Sequence, residues 1–258
     1  MKEITPNSIL ILYHNDNPFV GLVNKFKMRH YLKSIAWADI ALVYRPSNID
    51  AAHKYEAKRV EIFPPHYLSY RHRPMLSNDR CDVIFIGHYA PDDRAEYLDY
   101  LIKNGIDVRV YGTGWGKAQK KFKGLNSMNI RSVWGEEYKS ILCSAKIALV
   151  FLSNKNRDVY TRRCFEIPAC ETLMLAPRTP ALEGLFADGK EAVYYDSRED
   201  LLRKIQYYLK HDEERLNIAK AGRNRCLKDG HNEIGRAGFL IEIIEDIITA
   251  RLTLLSQR

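Results

Sequence analysis

The sequence predicts an α/β fold, and three observations predict it. Apolar runs of strand length alternate with segments of helical periodicity along most of the chain, the succession expected when parallel strands are joined by helices that cover both sheet faces. A length of 258 residues with 46% hydrophobic content is enough for one large soluble domain or two modest ones. A proline-rich, polar break over residues 64–80 interrupts the alternation and divides the chain unequally.

Before the break, strands are predicted at residues 8–13, 40–44 and 60–63, with helices between them. Pro64-Pro65 stops the third strand, and the Pro74-containing segment RHRPMLSNDR reads as an interdomain linker. After it, strands are predicted at 82–86, 107–111, 129–133, 147–152, 173–176 and 192–195, enough for a complete Rossmann-like domain. From Asp196 onward the chain is expected to be helical, over 198–210, 213–228 and 233–254. The last helix carries Phe239, Leu240, Ile243, Ile244, Ile247 and Ile248 as a stripe that packs on a core. The resulting division is a partial Rossmann-like domain over residues 1–75 and a full one over 76–258 with C-terminal helices. Three strands are too few for a complete Rossmann-like domain, and a sheet edge left exposed would need cover.

Lys plus Arg number 40 against 32 Asp plus Glu, a formal charge of +8 that favours an anionic ligand, an acidic membrane surface or nucleic acid. No nucleic-acid-binding motif accompanies the charge, so nucleic acid is not an expected partner. Cys81, Cys143, Cys164, Cys170 and Cys226 are dispersed and odd in number, which argues against a disulfide framework or a zinc site and for a reducing cytoplasm. No spanning segment or signal-peptide pattern is visible, leaving at most a peripheral membrane contact. Oligomeric state is not indicated.

The stretch over residues 162–191, RRCFEIPACETLMLAPRTPALEGLFADGKE, concentrates the chemistry. It puts Glu166 at a predicted helix start, between apolar Phe165 and Ile167, where a charge needs a partner. Arg162 and Arg163 precede it, and a polar loop leading into a helix attracts phosphate oxygens, an arrangement suited to a sugar nucleotide. Thr161 and Tyr160 lie in the same loop and could add donors. Asp158 stands before Glu166 with seven residues between them. In CDVIFIGHYAPDDR, Gly87 follows a strand and Arg94 lies near the next helix start, where α/β folds bind phosphates. Residues 111–116, YGTGWG, lack the full dinucleotide fingerprint, so a nicotinamide enzyme is rejected. His14 ends the first strand and is a possible acceptor-side base.

The block around Arg163, Phe165, Glu166, Ala169 and Cys170 resembles the R-x-F-E-x-x-A-C-G pattern of group 1 glycosyl transferases, particularly the CgeB-like branch of spore maturation proteins. The resemblance extends over roughly residues 80–250 and implies the two-domain GT-B architecture, against which the first domain looks truncated on its N-terminal side. It implies a glycosyltransferase of hexosyltransferase type that takes a nucleotide-diphosphate-sugar, uridine- or guanosine-linked, without a metal or other cofactor. Glu166 would hold the ribose, Arg163 would neutralise the diphosphate leaving group, and Gly87, Arg94, Thr161 and Arg162 would assist at the phosphates. Trp115 would wall the base, and Asp158 would sit near the anomeric carbon of a retaining enzyme. The acceptor, a glycan, protein or lipid, is left open, and a non-catalytic sugar-nucleotide-binding or surface-assembly protein of the same fold is the alternative. One residue departs from the pattern: Glu171 stands where the family has glycine, and turned inward it would repel a diphosphate.

Overall fold

The structure is a computed structural model in which residues 7–77 and 81–256 are described. It divides into two units, the first comprising residues 1–65, 155–157 and 234–258 and the second 66–154 and 158–233. In the first unit β1 (Ile11–His14), β2 (Ile40–Val43) and β3 (Val60–Ile62) form a parallel sheet in that order, with α1 (Leu22–Lys27), α2 (Arg29–Ser34) and α3 (Asn48–His53) between them.

In the second unit β4 (Cys81–Ile86), α4 (Arg94–Lys103), β5 (Val108–Tyr111), α5 (Gly116–Lys121), α6 (Lys123–Asn126), α7 (Gly135–Ser144) and β6 (Ala145–Leu149) come first. They are followed by α8 (Arg163–Ala169), β7 (Leu173–Pro177), α9 (Pro180–Leu185), β8 (Val193–Tyr195), α10 (Arg198–Tyr208) and α11 (Asp212–Lys228). The chain ends in α12 (Glu233–Ser256).

β2 is buried along its whole length because its two faces are covered by different elements. Ile40 and Leu42 pack with Phe63 and with Phe239, Leu240, Ile243 and Ile247 of α12, while Ala41 packs with Leu32 and Ile35 on the opposite face. Period-two alternation on the strand meets period-3.6 spacing on the helix, so the predicted stripe of α12 is a core-facing stripe of the first unit. This corrects the expected division at residue 75. The break falls after Pro65, because Tyr67 N–H donates to His231 O and Ser69 donates to the Glu233 carboxylate, which tie the polar segment to the second unit.

The second unit's sheet is parallel throughout, in the order β5-β4-β6-β7-β8. Val83, Ile147 and Leu173 align in register across three strands, and with Phe85, Leu149 and Leu175 they form one buried face under Leu98, Leu101, Leu201 and Ile205. Full burial of each such side chain stabilises by about 1.5–3 kcal/mol, an upper figure since the unfolded chain already buries some of it. On the other side α8 packs against α11, and a Cβ at Gly222 of α11 would lie 2.3 Å from Glu191 O in the segment before β8, so only glycine lets α11 approach that segment.

One predicted strand is absent. Residues 129–133 run beside the end of β5, where Gly112 N–H donates to Arg131 O, but no ladder forms. β5 is therefore an edge, and the order has its reversal between β4 and β6, the position where open α/β sheets bind ligands outside their carboxyl ends.

Candidate functional site

A cavity of about 300 Å³ opens beside that reversal, within the second unit. The ends of β4 and β5 contribute Ile86, Gly87, Gly112 and Thr113, and the loop into α7 contributes Ser132, Val133, Trp134 and Gly135. The first turn of α8 adds Arg162, Arg163 and Glu166, α7 adds Tyr138, and the segment before β4 adds Leu68, Arg71 and His72. The floor is tight for a backbone reason. At Gly112 φ is +138°, and a Cβ there would lie 2.0 Å from Gly87 O, so glycine lets the two strand-end loops touch.

Glu166 is buried at 4% exposure and held from three sides. Tyr138 Oη donates to its Oε2 at 2.7 Å, and Arg163 Nη1 donates to the same oxygen at 2.7 Å. The Arg163 guanidinium also donates from Nε to Ile86 O at 2.9 Å and lies 5.1 Å from the Tyr138 ring centroid. The other carboxylate oxygen, Oε1, faces His72 Nε2 at 3.7 Å, beyond hydrogen-bond length. Among the described residues no hydrogen bond reaches it. His72 Nδ1 accepts Leu68 N–H, which places the neutral imidazole's hydrogen on Nε2, toward Glu166. A buried carboxylate thus has one oxygen fixed by two hydrogen bonds and one that has none.

Protonation supports that geometry. Burial, then the Glu166 charge, pushes the Tyr138 hydroxyl well above its ordinary value, so it remains a donor. Burial lowers the His72 pKa, and the opposing pull of Glu166 does not overcome it. Burial alone would lower the Arg163 pKa, but Tyr138 and Glu166 outweigh it and hold the cation firmly charged.

The structure brings Gly87, Arg162, Arg163 and Glu166 together in this cavity and sets the other predicted residues elsewhere. Asp158 and Arg94 line a second cavity of about 290 Å³ with Asp92, Tyr97, Asn154, Thr179 and Tyr195. Arg94 is buried, its guanidinium spent on both Asp92 oxygens and on His88 O, so it is not an open phosphate ligand. The expected Trp115 wall is corrected. That indole is 2% exposed, packs on Phe85 and Tyr89, and donates to Gly87 O, so it supports the loop from behind. Trp134, 78% exposed, is the indole that lines the cavity. Thr161 is not among the lining residues; its hydroxyl lies against Cys164 Sγ.

Glu171 does not enter either cavity. It takes a left-handed backbone, φ +58°, that glycine adopts without strain, and its carboxylate lies 3.8 Å from Arg223 of α11. His14 belongs to the first unit, where its Nδ1 accepts Asp16 N–H at 3.1 Å. Sequence reasoning missed Tyr138, His72, Arg71 and Trp134. The basic linker RHR was a signal for two of them, whereas Tyr138 is one position of an ordinary amphipathic helix. Among the described residues no three His, Cys, Asp or Glu side chains converge to hold a metal ion, and no helix is long and apolar enough to cross a membrane.

A family model described as glycosyl transferase-like matches residues 94–242, more than half of the sequence, and includes α8 with Glu166. The chain belongs to that family. No curated protein matches the sequence. Among solved structures, sucrose-phosphate synthase from Thermosynechococcus elongatus is similar with a TM-score of 0.72 and 13% identity, over 96% of this chain and 70% of that one. Anabaena HepE, solved with UDP, gives 0.74 and 9% over 95% of this chain and 74% of that one. TarM gives 0.71 and 10% over 93% of this chain, which spans only 50% of TarM. At such identities these likenesses speak for the fold alone, and they make the α/β architecture of this glycosyl transferase-like chain a GT-B one. The CgeB-like branch is not distinguished by them.

Proposed function

We propose that this glycosyl transferase-like chain transfers a hexose from a nucleotide-diphosphate-sugar, binding the nucleotide in the Glu166 cavity. The observation that carries the reading is Oε1 of Glu166, an oxygen without a hydrogen bond on a carboxylate whose other oxygen is held by Tyr138 and Arg163. Paired ribose hydroxyls are donors that suit it, and charge-assisted hydrogen bonds are the strong kind. Arg71, Arg162 and the remaining nitrogen of Arg163 supply positive charge for the diphosphate, while the open Trp134 ring offers a face for a base. HepE was solved with UDP and glucose, and pneumococcal GtfA with UDP and GlcNAc, which favours a uridine diphosphate donor.

In this reading Asp158, which lines the second cavity, is assigned to the donor sugar by its D-x7-E spacing alone, a spacing that favours retention of anomeric configuration, and His14 acts on the acceptor side. A panel of nucleotide sugars assayed by thermal shift tests the proposal directly. At 100 times its dissociation constant the right donor stabilises by about 2.7 kcal/mol. Turnover is then read as released nucleoside diphosphate, which Glu166→Ala is expected to abolish in a folded protein. Failure of every uridine and guanosine diphosphate sugar to raise the melting temperature overturns the proposal.

A further inference from the structure

α1 of the first unit buries none of its six residues. At 3.6 residues per turn, Leu22, Val23 and Phe26 fall within an arc of about 100°. They are 86%, 69% and 70% exposed. Lys25 and Lys27 border that arc on its two sides, while Asn24, on the opposite side, is half-buried and donates to Asn17 O. The Arg29 guanidinium lies 4.9 Å from the Phe26 ring centroid. Between Asn17 and Ala38 the chain carries Lys25, Lys27, Arg29, His30 and Lys33 and no carboxylate.

Three bare apolar side chains ringed by cations match one kind of surface. An anionic bilayer accepts the apolar groups among its acyl chains and leaves the lysine ammonium groups at the headgroups, with their methylene stems lying along the apolar surface. A second copy of the chain meeting this face would set cation against cation, and nucleic acid would satisfy the charge while leaving Leu22 and Val23 in water. We propose that α1 and α2 form a docking surface for an anionic lipid bilayer, which Leu22, Val23 and Phe26 enter and Lys25, Lys27, Arg29 and Lys33 hold.

The test is co-sedimentation of the full chain with vesicles of phosphatidylcholine alone or mixed with phosphatidylglycerol. Binding is expected only to the anionic vesicles and weaker as salt rises from 0.15 to 1 M, where the screening length falls from about 8 to 3 Å. Lys25→Ala with Lys27→Ala should weaken partitioning about thirtyfold, roughly fivefold per cation. Leu22→Ser with Phe26→Ser should weaken it about tenfold or more at constant charge. All four side chains are exposed, so melting temperatures should not move; were a variant to unfold, the lipid-charge and salt dependence of the unaltered chain still decides. Equal binding to neutral vesicles, no binding to anionic ones, an unaffected Leu22/Phe26 variant, or burial of this face in a salt-stable dimer or RNA complex overturns the proposal.

Discussion

Glu166→Gln is the substitution that separates a ribose-holding carboxylate from a structural one. It preserves side-chain volume, and its amide oxygen can still accept from Tyr138, so the group facing His72 becomes an amide NH2 and the charged acceptor there is lost. A ribose hydroxyl donating to a charged acceptor is worth about 1.5–3 kcal/mol, against about 0.5–1.5 for a neutral hydrogen bond in which it accepts from the amide NH2. Removing the 2′-hydroxyl of UDP should therefore weaken binding to the unaltered protein roughly 10- to 150-fold, and to Glu166→Gln only roughly 2- to 12-fold. Titration calorimetry with UDP and 2′-deoxy-UDP on both proteins gives a double-mutant cycle, whose coupling energy should be at least about 1 kcal/mol. Glu166 is buried, so losing its charge beside Arg163 should also cost stability, and melting temperatures must first show that Glu166→Gln is folded under the titration conditions. An identical UDP to 2′-deoxy-UDP affinity ratio in the two proteins refutes the assignment of Glu166 to the ribose.

Two further predictions concern stability. Glu171→Gly should stabilise by about 0.5–1 kcal/mol, since glycine relieves the about 1–2 kcal/mol carried by a Cβ at φ +58° and gives back part of it to unfolded-state entropy. Urea midpoints measure the gain, and a loss would show that the distant, half-exposed Arg223 contact dominates. His72 has a folded pKa below its ordinary 6.5, so its contribution to stability is complete above pH 6.5 and is lost as pH falls toward the folded value. Melting temperatures should drop over that window in the unaltered protein and drop less in His72→Asn, whose side-chain oxygen can still accept Leu68 N–H.

Much of this was readable from the chain because it depends on local chemistry. Uninterrupted apolar runs mark strands buried on both faces, and the spacing of Phe239, Leu240, Ile243 and Ile247 marks a helix with one covered side. A glutamate set between phenylalanine and isoleucine behind two arginines had to be buried and partnered, and Glu166 is. Residues 129–133 had the apolar pattern of a strand but not a second strand in register, and a ladder exists only with both partners.

The sequence by itself determined that a parallel α/β chain carries an acid and its arginine on one helical turn. Only the tertiary structure decided who completes that site. It drew Tyr138 from α7 and His72 from the segment before β4, and it swung Trp115 inward while leaving Trp134 at the mouth. Side chains distant in sequence meet because packing closes the sheet, and a pattern read one element at a time holds no information about which of them will touch.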